Sequence, residues 1–227
     1  MNKDTVSVVC TSFNRPDLLE KTLKSFFKFN TYPIEDFLIV DDSGEEGCND
    51  HLKEQFPSVT FRYNQERIGQ IESVDLGYSL IQSRYVFHLE EDWKFYNYNF
   101  IQHSLAILKS NPSVMQVWIR ANNDTNGHGH YDSPRSAWYG NNEVVYYIVK
   151  KGHAKKWHGF SFNPTLRRMG DYFQHAPYSS ITTFIPKQPW VSEMEIGQYM
   201  VDRNYVAAII KGDGYVKHIG DNRGIRQ

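Results

Sequence analysis

Four times within about the first 110 residues, a short apolar run is followed by a stretch with helical spacing, and this alternation constrains the fold more than any other feature. Thr5–Cys10, Phe37–Val40, Val59–Tyr63 and Tyr85–Leu89 read as strands. FLIV at 37–40 is apolar on both faces, as a strand buried inside a parallel sheet should be. Between them, Leu19, Leu23, Phe26 and Phe27 fall on one face of a predicted helix over Pro16–Phe29, with proline and acids in its first turn. A short helix is expected over Asp50–Phe56. Ile71, Val74, Tyr78 and Ile81 mark another, and Ile101, Leu105 and Leu108 a fourth. Repeated β-α units predict an α/β fold: a mostly parallel twisted sheet with helices on both faces and ligands at the carboxyl ends of its strands.

The second half is less regular. Val114–Ile119, Val144–Val149 and Val206–Ile210 read as strands and Ser192–Asp202 as a helix. Ala121–Asn142 reads as a polar loop, Lys150–Gln188 as irregular and Gly212–Gln227 as a polar tail. The 227 residues suit one substantial domain. A net charge of −1 gives no electrostatic case for nucleic acid or an anionic surface. Two cysteines, Cys10 and Cys48, do not make a disulfide framework. No signal peptide precedes the first strand and no apolar run is long enough to span a bilayer, so the expectation is a cytoplasmic protein.

If ligands meet the strand ends, the residues there carry the chemistry. Thr11-Ser-Phe-Asn-Arg15 follows the first strand, Asp41-Asp42-Ser43-Gly44 the second, Asn64 to Gly69 the third and Glu90-Glu91-Asp92 the fourth. Three adjacent carboxylates repel one another unless a cation or solvent compensates. Mg²⁺ or Mn²⁺ takes one or two carboxylates plus substrate phosphates, which suits this cluster. Asp41 can accept from a ribose hydroxyl or a base N–H, while Asp, Ser and Gly also form turns.

Together these residues resemble the inverting GT-A glycosyltransferases, in particular the large family 2 group. The resemblance lies in VVCTSFNRP at 8–16, IVDDSG at 39–44 and LEED at 89–92. It implies a single GT-A domain over 1–227, with a nucleotide-sugar half (1–110) and an acceptor half (111–227). It also implies that Asp41 reads base or ribose and that Thr11, Asn14 and Arg15 line the nucleotide pocket. Glu90-x-Asp92 matches the family's Asp-x-Asp signature, with Asp92 as metal ligand; Glu in the first position points Glu90 toward ribose or a water-mediated contact. Asp42 and Glu91 join the donor site, and Arg67 stands either where it could meet the donor or in a surface ion pair. His218 resembles a late histidine that completes the metal site in several GT-A enzymes.

An inverting transferase needs a general base. In the Ser192–Asp202 helix, Glu193 shares a face with Ile196 and Met200, whereas Glu195 is rotated by about 200°. The family's Glu-Asp signature aligns best at Ser192-Glu193, so Glu193 is the expected base; stabilising the helix dipole is the competing role. Trp138, Trp157 and Trp190 are candidates for sugar stacking or core packing, and HGFSFNPTLRR at 158–168 for the acceptor side, with Arg167 and Arg168 as possible plain surface charge. His128 and His130 fit a flexible loop better than a metal pair.

The implied activity is metal-dependent hexosyl or deoxyhexosyl transfer with inversion, from a nucleoside-diphosphate sugar (UDP by family preference) to a glycan or glycoconjugate hydroxyl. A Rossmann dehydrogenase would need G-x-G-x-x-G after a strand, and none is present. A nucleotidyltransferase would carry a glycine-rich first loop, and Thr11–Pro16 has no glycine. A non-catalytic sugar-nucleotide or glycan-binding module of the same fold is the remaining alternative.

Overall fold

The alternation holds in three dimensions. The computed structural model describes residues 4–152, 158–182 and 189–220. Strands β1 (Val6–Ser12), β2 (Phe37–Asp41), β3 (Val59–Tyr63) and β4 (Tyr85–Glu90) are joined by helices α1 (Pro16–Phe29), α2 (Asp50–Gln55) and α3 (Gln70–Ser79). Then come β5 (Trp93–Phe95), α4 (Phe100–Ser110), β6 (Val114–Trp118), β7 (Arg135–Tyr139), β8 (Asn142–Ile148) and β9 (Thr165–Arg168). Helix α5 (Met169–His175), a 3₁₀ turn at Tyr178–Ser180, α6 (Pro189–Val201), β10 (Val206–Ile210) and β11 (Val216–His218) complete the described chain.

Nine strands form one sheet in the order β3-β2-β1-β4-β9-β6-β10-β8-β7, and β11 pairs with β5 in a second, two-stranded one. The β3-β2-β1-β4 and β6-β10 neighbours are parallel; β9 and β8 run against theirs. Alternate residues feed two cores. Val8 and Cys10 pack with Leu19, Leu23 and Phe26 of α1, and Val9 with Val74 and Tyr78 of α3 and Ile196 and Met200 of α6. Each such side chain contributes about 1.5–3 kcal/mol on burial. No helix among the described residues is long and apolar enough to cross a membrane.

Helix α3 approaches the sheet closely because Gly77 has no side chain. A Cβ there would lie 2.5 Å from Val9 Cγ1 and 3.1 Å from Val40 Cγ2. Gly77→Ala is therefore expected to destabilise the fold by about 1–3 kcal/mol, since the neighbours are branched side chains already packed. Urea denaturation would show this as a lowered midpoint with an unchanged slope.

Three sequence expectations need correction. The predicted loop Ala121–Asn142 contains the edge strand β7, whose only buried member is Ala137. The Lys150–Gln188 stretch, taken as irregular, holds β9 and α5, and the Gly212–Gln227 tail holds β11. Strand β9 reads as polar, yet β4 and β6 pair with it on both sides, and the Thr165 hydroxyl bonds both the N–H and the carbonyl of Val117.

Candidate functional site

The parallel register gathers the strand-end residues into one cleft. In β1, Thr11 lies opposite Glu90 of β4 and Ser12 opposite Asp41 of β2. The acids at 41 and at 90 thus flank the same end of one strand. The chain leaves β1 through Asn14, exposed and left-handed at φ 52°, a conformation asparagine tolerates. That turn delivers Arg15 to the start of α1.

Arg15 ties two of the three adjacent acids together. Its Nε donates to Glu91 Oε1 at 2.6 Å and its Nη1 to Asp92 Oδ2 at 2.7 Å. Asp92 Oδ2 also lies 3.2 Å from His218 Nε2 on β11. Burial pushes the Asp92 carboxyl up, but His218 and Arg15 outweigh it and hold the group below its ordinary range. Glu91, more deeply buried, is pushed up to about 7, with Arg15 opposing the shift and Asp92 adding to it. Burial, then Asp92, Glu91 and Glu193, push Glu90 well above its usual range. Gln70 Nε2 and Trp93 Nε1 donate to the two Glu90 oxygens at 2.9 and 3.2 Å, fixing its carboxyl at the cleft.

The Asp92–His218 pair offers a carboxylate oxygen and an imidazole nitrogen, a donor set that fits a divalent cation such as Mn²⁺ better than Mg²⁺. Gly220 lets the backbone pass directly against the pair, since a Cβ there would stand 2.3 Å from Asp92 Oδ2 and 3.0 Å from His218 Nε2. Among the described residues no group of three or more His, Cys, Asp or Glu side chains is arranged to hold an ion. A cation at this pair would draw its remaining ligands from substrate phosphates and water, the usual habit of Mg²⁺ sites.

The two aspartates after β2 have different surroundings. Asp41, almost fully buried, accepts from Ser43 N and Oγ and from Asn49 Nδ2 at 2.5–3.0 Å. Its carboxylate closes the Asp-Ser turn, so any nucleotide contact would be shared with these donors. Asp42 accepts from Asn64 Nδ2, Ile68 N and Gly69 N, each at 2.8 Å, and so binds the 64–69 loop to the sheet. That loop carries Arg67, exposed, with its guanidinium 4.4 Å from the centre of the Phe13 ring.

Helix α6 turns Glu193 inward and Glu195 outward, as its spacing requires. Glu193 Oε1 accepts from Ser161 Oγ at 3.0 Å and Phe162 N at 2.7 Å. Burial pushes its carboxyl up; the Phe162 N–H, the Ser161 hydroxyl and the charges of Arg167 and Arg120 pull it back. Glu195 is exposed and accepts from Thr182 Oγ1.

Several residues beyond the strand ends have contacts that no local sequence signal announces. Arg120, 7% exposed just past β6, lies 5.1 Å over the Trp93 ring and pairs with Asp124. Ser161 and Phe162 hold the inward glutamate from more than thirty residues away. Arg167 is buried, not surface charge, and Arg168 binds the carbonyls of Leu108, Asn111 and Val114. Trp138 and Trp190 are exposed, at 62% and 55%, rather than core residues; Trp157 lies outside the described residues. His130 stacks on Tyr147 while His128 meets the edge of Trp118, so the two rings turn to different neighbours.

Solved structures share this architecture. A mannosyltransferase from Pyrobaculum calidifontis, in complex with GDP-Man and Mn²⁺, superposes with a TM-score of 0.67 at 15% identity, over 96% of this chain and 58% of that one. TarS 1–349 from S. aureus in complex with UDP-GlcNAc gives 0.61 at 13%, over 96% and 61%. GalNAc-T7 with UDP, GalNAc and Mn²⁺ gives 0.61 at 14%, over 94% and 43%. The chain therefore spans less than two thirds of each of these proteins. No curated protein matches it in sequence. The fold is that of the GT-A glycosyltransferases. Within that class the chain belongs to glycosyl transferase family 2, whose profile matches residues 7–172.

Proposed function

We propose that this chain is a single-displacement glycosyltransferase that moves a hexosyl or deoxyhexosyl group from a nucleoside-diphosphate sugar to a hydroxyl of a glycan or glycoconjugate, with inversion. The observation that carries this reading is the register of β1. It places Asp41 and Glu90 on either side of Thr11 and Ser12, with the Asp92–His218 pair beside them, while Glu193, turned inward from α6, adds its charge to those that push the Glu90 carboxyl up.

In this reading residues 1–110 bind the donor and 111–227 the acceptor. Thr11, Asn14, Arg15, Asp41 and Arg67 surround the nucleotide, with Asp42 shaping the wall through the 64–69 loop. Arg15 offsets part of the charge on Glu91 and Asp92, which lowers the repulsion a diphosphate would meet from three adjacent acids. Glu90, fixed by Gln70 and Trp93, faces the ribose or the transferred sugar. Asp92 and His218 would hold Mn²⁺ or Mg²⁺, which supplies Lewis-acid stabilisation of the departing diphosphate. Glu193 takes the proton from the acceptor hydroxyl as that oxygen attacks the anomeric carbon. The relatives bound to UDP and UDP-GlcNAc favour a uridine donor, with the GDP-Man complex as the guanosine counterpart to test.

A thermal-shift series with UDP- and GDP-sugars, each with and without Mn²⁺, tests the donor side. A cognate donor at a hundredfold its Kd should raise Tm by about 5–10 °C, and more with Mn²⁺ than without. Nucleoside-diphosphate release on adding a glycan acceptor tests the transfer itself. No shift with any donor, in either condition, sinks the assignment.

A further inference from the structure

We propose that Arg167 is a positioning residue for the base: lodged behind Glu193, it fixes the Ser161–Phe162 turn that grips the carboxylate and stands as a buried positive charge at its back. This rests on Glu193 being the base of the reaction proposed above.

Arg167 is 3% exposed, and its terminal nitrogens go to neutral acceptors rather than to a carboxylate. Nη1 donates to Tyr78 Oη at 3.0 Å and Nη2 donates to the Ser161 carbonyl. Its guanidinium lies 4.6 Å from the Phe160 ring centre and 5.4 Å from that of Phe162. Nε, also buried, has no partner among the described residues. Burying an arginine without a carboxylate on it is costly, and a methionine or leucine would fill the volume more cheaply. What the charge obtains here is a hold on one short segment. Ser161, whose carbonyl it binds, gives its hydroxyl to Glu193, and Phe162, whose ring it touches, gives its N–H to the same oxygen.

The segment is anchored from its other side by β6. Gln116 Nε2 and Trp118 Nε1 both donate to the Gly159 carbonyl at 3.1 Å. Gly159 is left-handed at φ 94°, and a Cβ there would stand 2.8 Å from Ala207 Cβ, so the backbone must pass close to β10. Residues 159–162 are thus clamped between β6 and Arg167, and the clamp opens onto Glu193.

Arg167 on β9 and Arg120 after β6 favour the ionised form of Glu193, and Glu90 on β4 opposes it. On its own helix, Glu195 points outward to Thr182. His88, packed against Tyr78 and Phe162, is held well below its ordinary range by burial and then by Arg167, so it is neutral and adds no rival charge. Removing the Arg167 charge disfavours the Glu193 carboxylate, and its pKa rises. The base then stays protonated to higher pH, and the acidic limb of the pH profile moves upward.

The test uses Arg167→Met and Arg167→Lys in the full chain, with Glu193→Gln as the floor. The measurements are kcat/KM for transfer against pH and a ¹³C-carboxyl NMR titration of Glu193. In Arg167→Met the limb and the NMR midpoint should both rise by roughly one pH unit, with kcat down at least tenfold and donor KM within twofold. Arg167→Lys keeps the charge but not the fork, so the midpoint should stay near the parent's while kcat falls about fivefold or more. If far-UV circular dichroism shows that Arg167→Met does not fold, Arg167→Lys decides alone, and parent-like kcat in that variant overturns the proposal. An unmoved midpoint in folded Arg167→Met also overturns it. Activity surviving in Glu193→Gln would instead overturn the assignment of the base, which separates the two failures.

Discussion

Glu193→Gln is expected to lower transfer by about 10²–10⁴-fold while leaving nucleotide affinity within twofold of the parent's. The substitution is close to isosteric. Its amide oxygen can still accept from Ser161 Oγ and Phe162 N, the two contacts that seat the carboxylate, so α6 and the 159–162 segment have no reason to move. What is lost is the capacity to take a proton. Burial of the native group works in favour of that capacity, since a carboxyl raised toward neutrality is a stronger base than an exposed one. Glu195→Gln is the internal control: two residues away but on the outward face, it should retain nearly full activity. Initial rates of nucleoside-diphosphate release, with calorimetric titration of UDP or GDP, would read both quantities. Parent-like turnover in Glu193→Gln would remove this residue from the chemistry.

The inward orientation expected of Glu193 came from helical spacing, and the structure shows why spacing fixes that orientation. Ile196 and Met200 are buried in the core shared with α3 and β1, so a residue three positions before Ile196 must follow them inward. The first half of the chain was legible for a similar reason. A strand buried on both faces must be apolar throughout, and the chain must then turn at its polar end, which is where Asp41 and Glu90 stand. In the second half the determinants are distant in sequence. Arg135-Ser-Ala-Trp-Tyr139 buries one residue in five and shows no alternation, as befits an edge strand with one neighbour. Trp93-Lys-Phe95 and Val216-Lys-His218 are each too short to show a period, and each is a strand only because the other pairs with it. Thr165-Leu-Arg-Arg168 hides two arginines that bond backbone carbonyls up to 60 residues away and, for Arg167, the Tyr78 hydroxyl 89 residues away. The hold on Glu193 by Ser161 and Phe162, over more than 30 residues, is of the same kind, and no local pattern announces it.

Arg15 has partners that the sequence did not announce. The resemblance to family 2 marked it for the nucleotide pocket. The structure adds that it already binds Glu91 and Asp92, at side-chain exposures of 18%, 5% and 8%. Three carboxylates in succession are tolerated at this strand end because one guanidinium bridges two of them, while Gln70 and Trp93 donate to the third.

Asp92→Asn should produce the second large effect, which is loss of the Mn²⁺-dependent part of donor binding. Asp92 and His218 are the only side chains facing each other in the cleft that combine a carboxylate with an imidazole at contact distance among the described residues. With so few protein ligands, affinity for a hard cation depends on the one formal negative charge, which an amide lacks. The expected result is that the extra rise in Tm that Mn²⁺ adds to the nucleotide's own shift in the parent is largely lost, and that transfer drops by at least about a hundredfold. Stability without ligand should fall only modestly. Arg15 keeps Glu91 as its partner, and the new amide oxygen can still accept from it. His218→Ala should weaken the same response without abolishing it, because the carboxylate remains. Thermal shifts across a Mn²⁺ titration at fixed UDP or GDP would distinguish these cases. An Asp92→Asn variant with the parent's full Mn²⁺ increment would place the cation elsewhere and leave the acids at 90–92 without the role assigned to them.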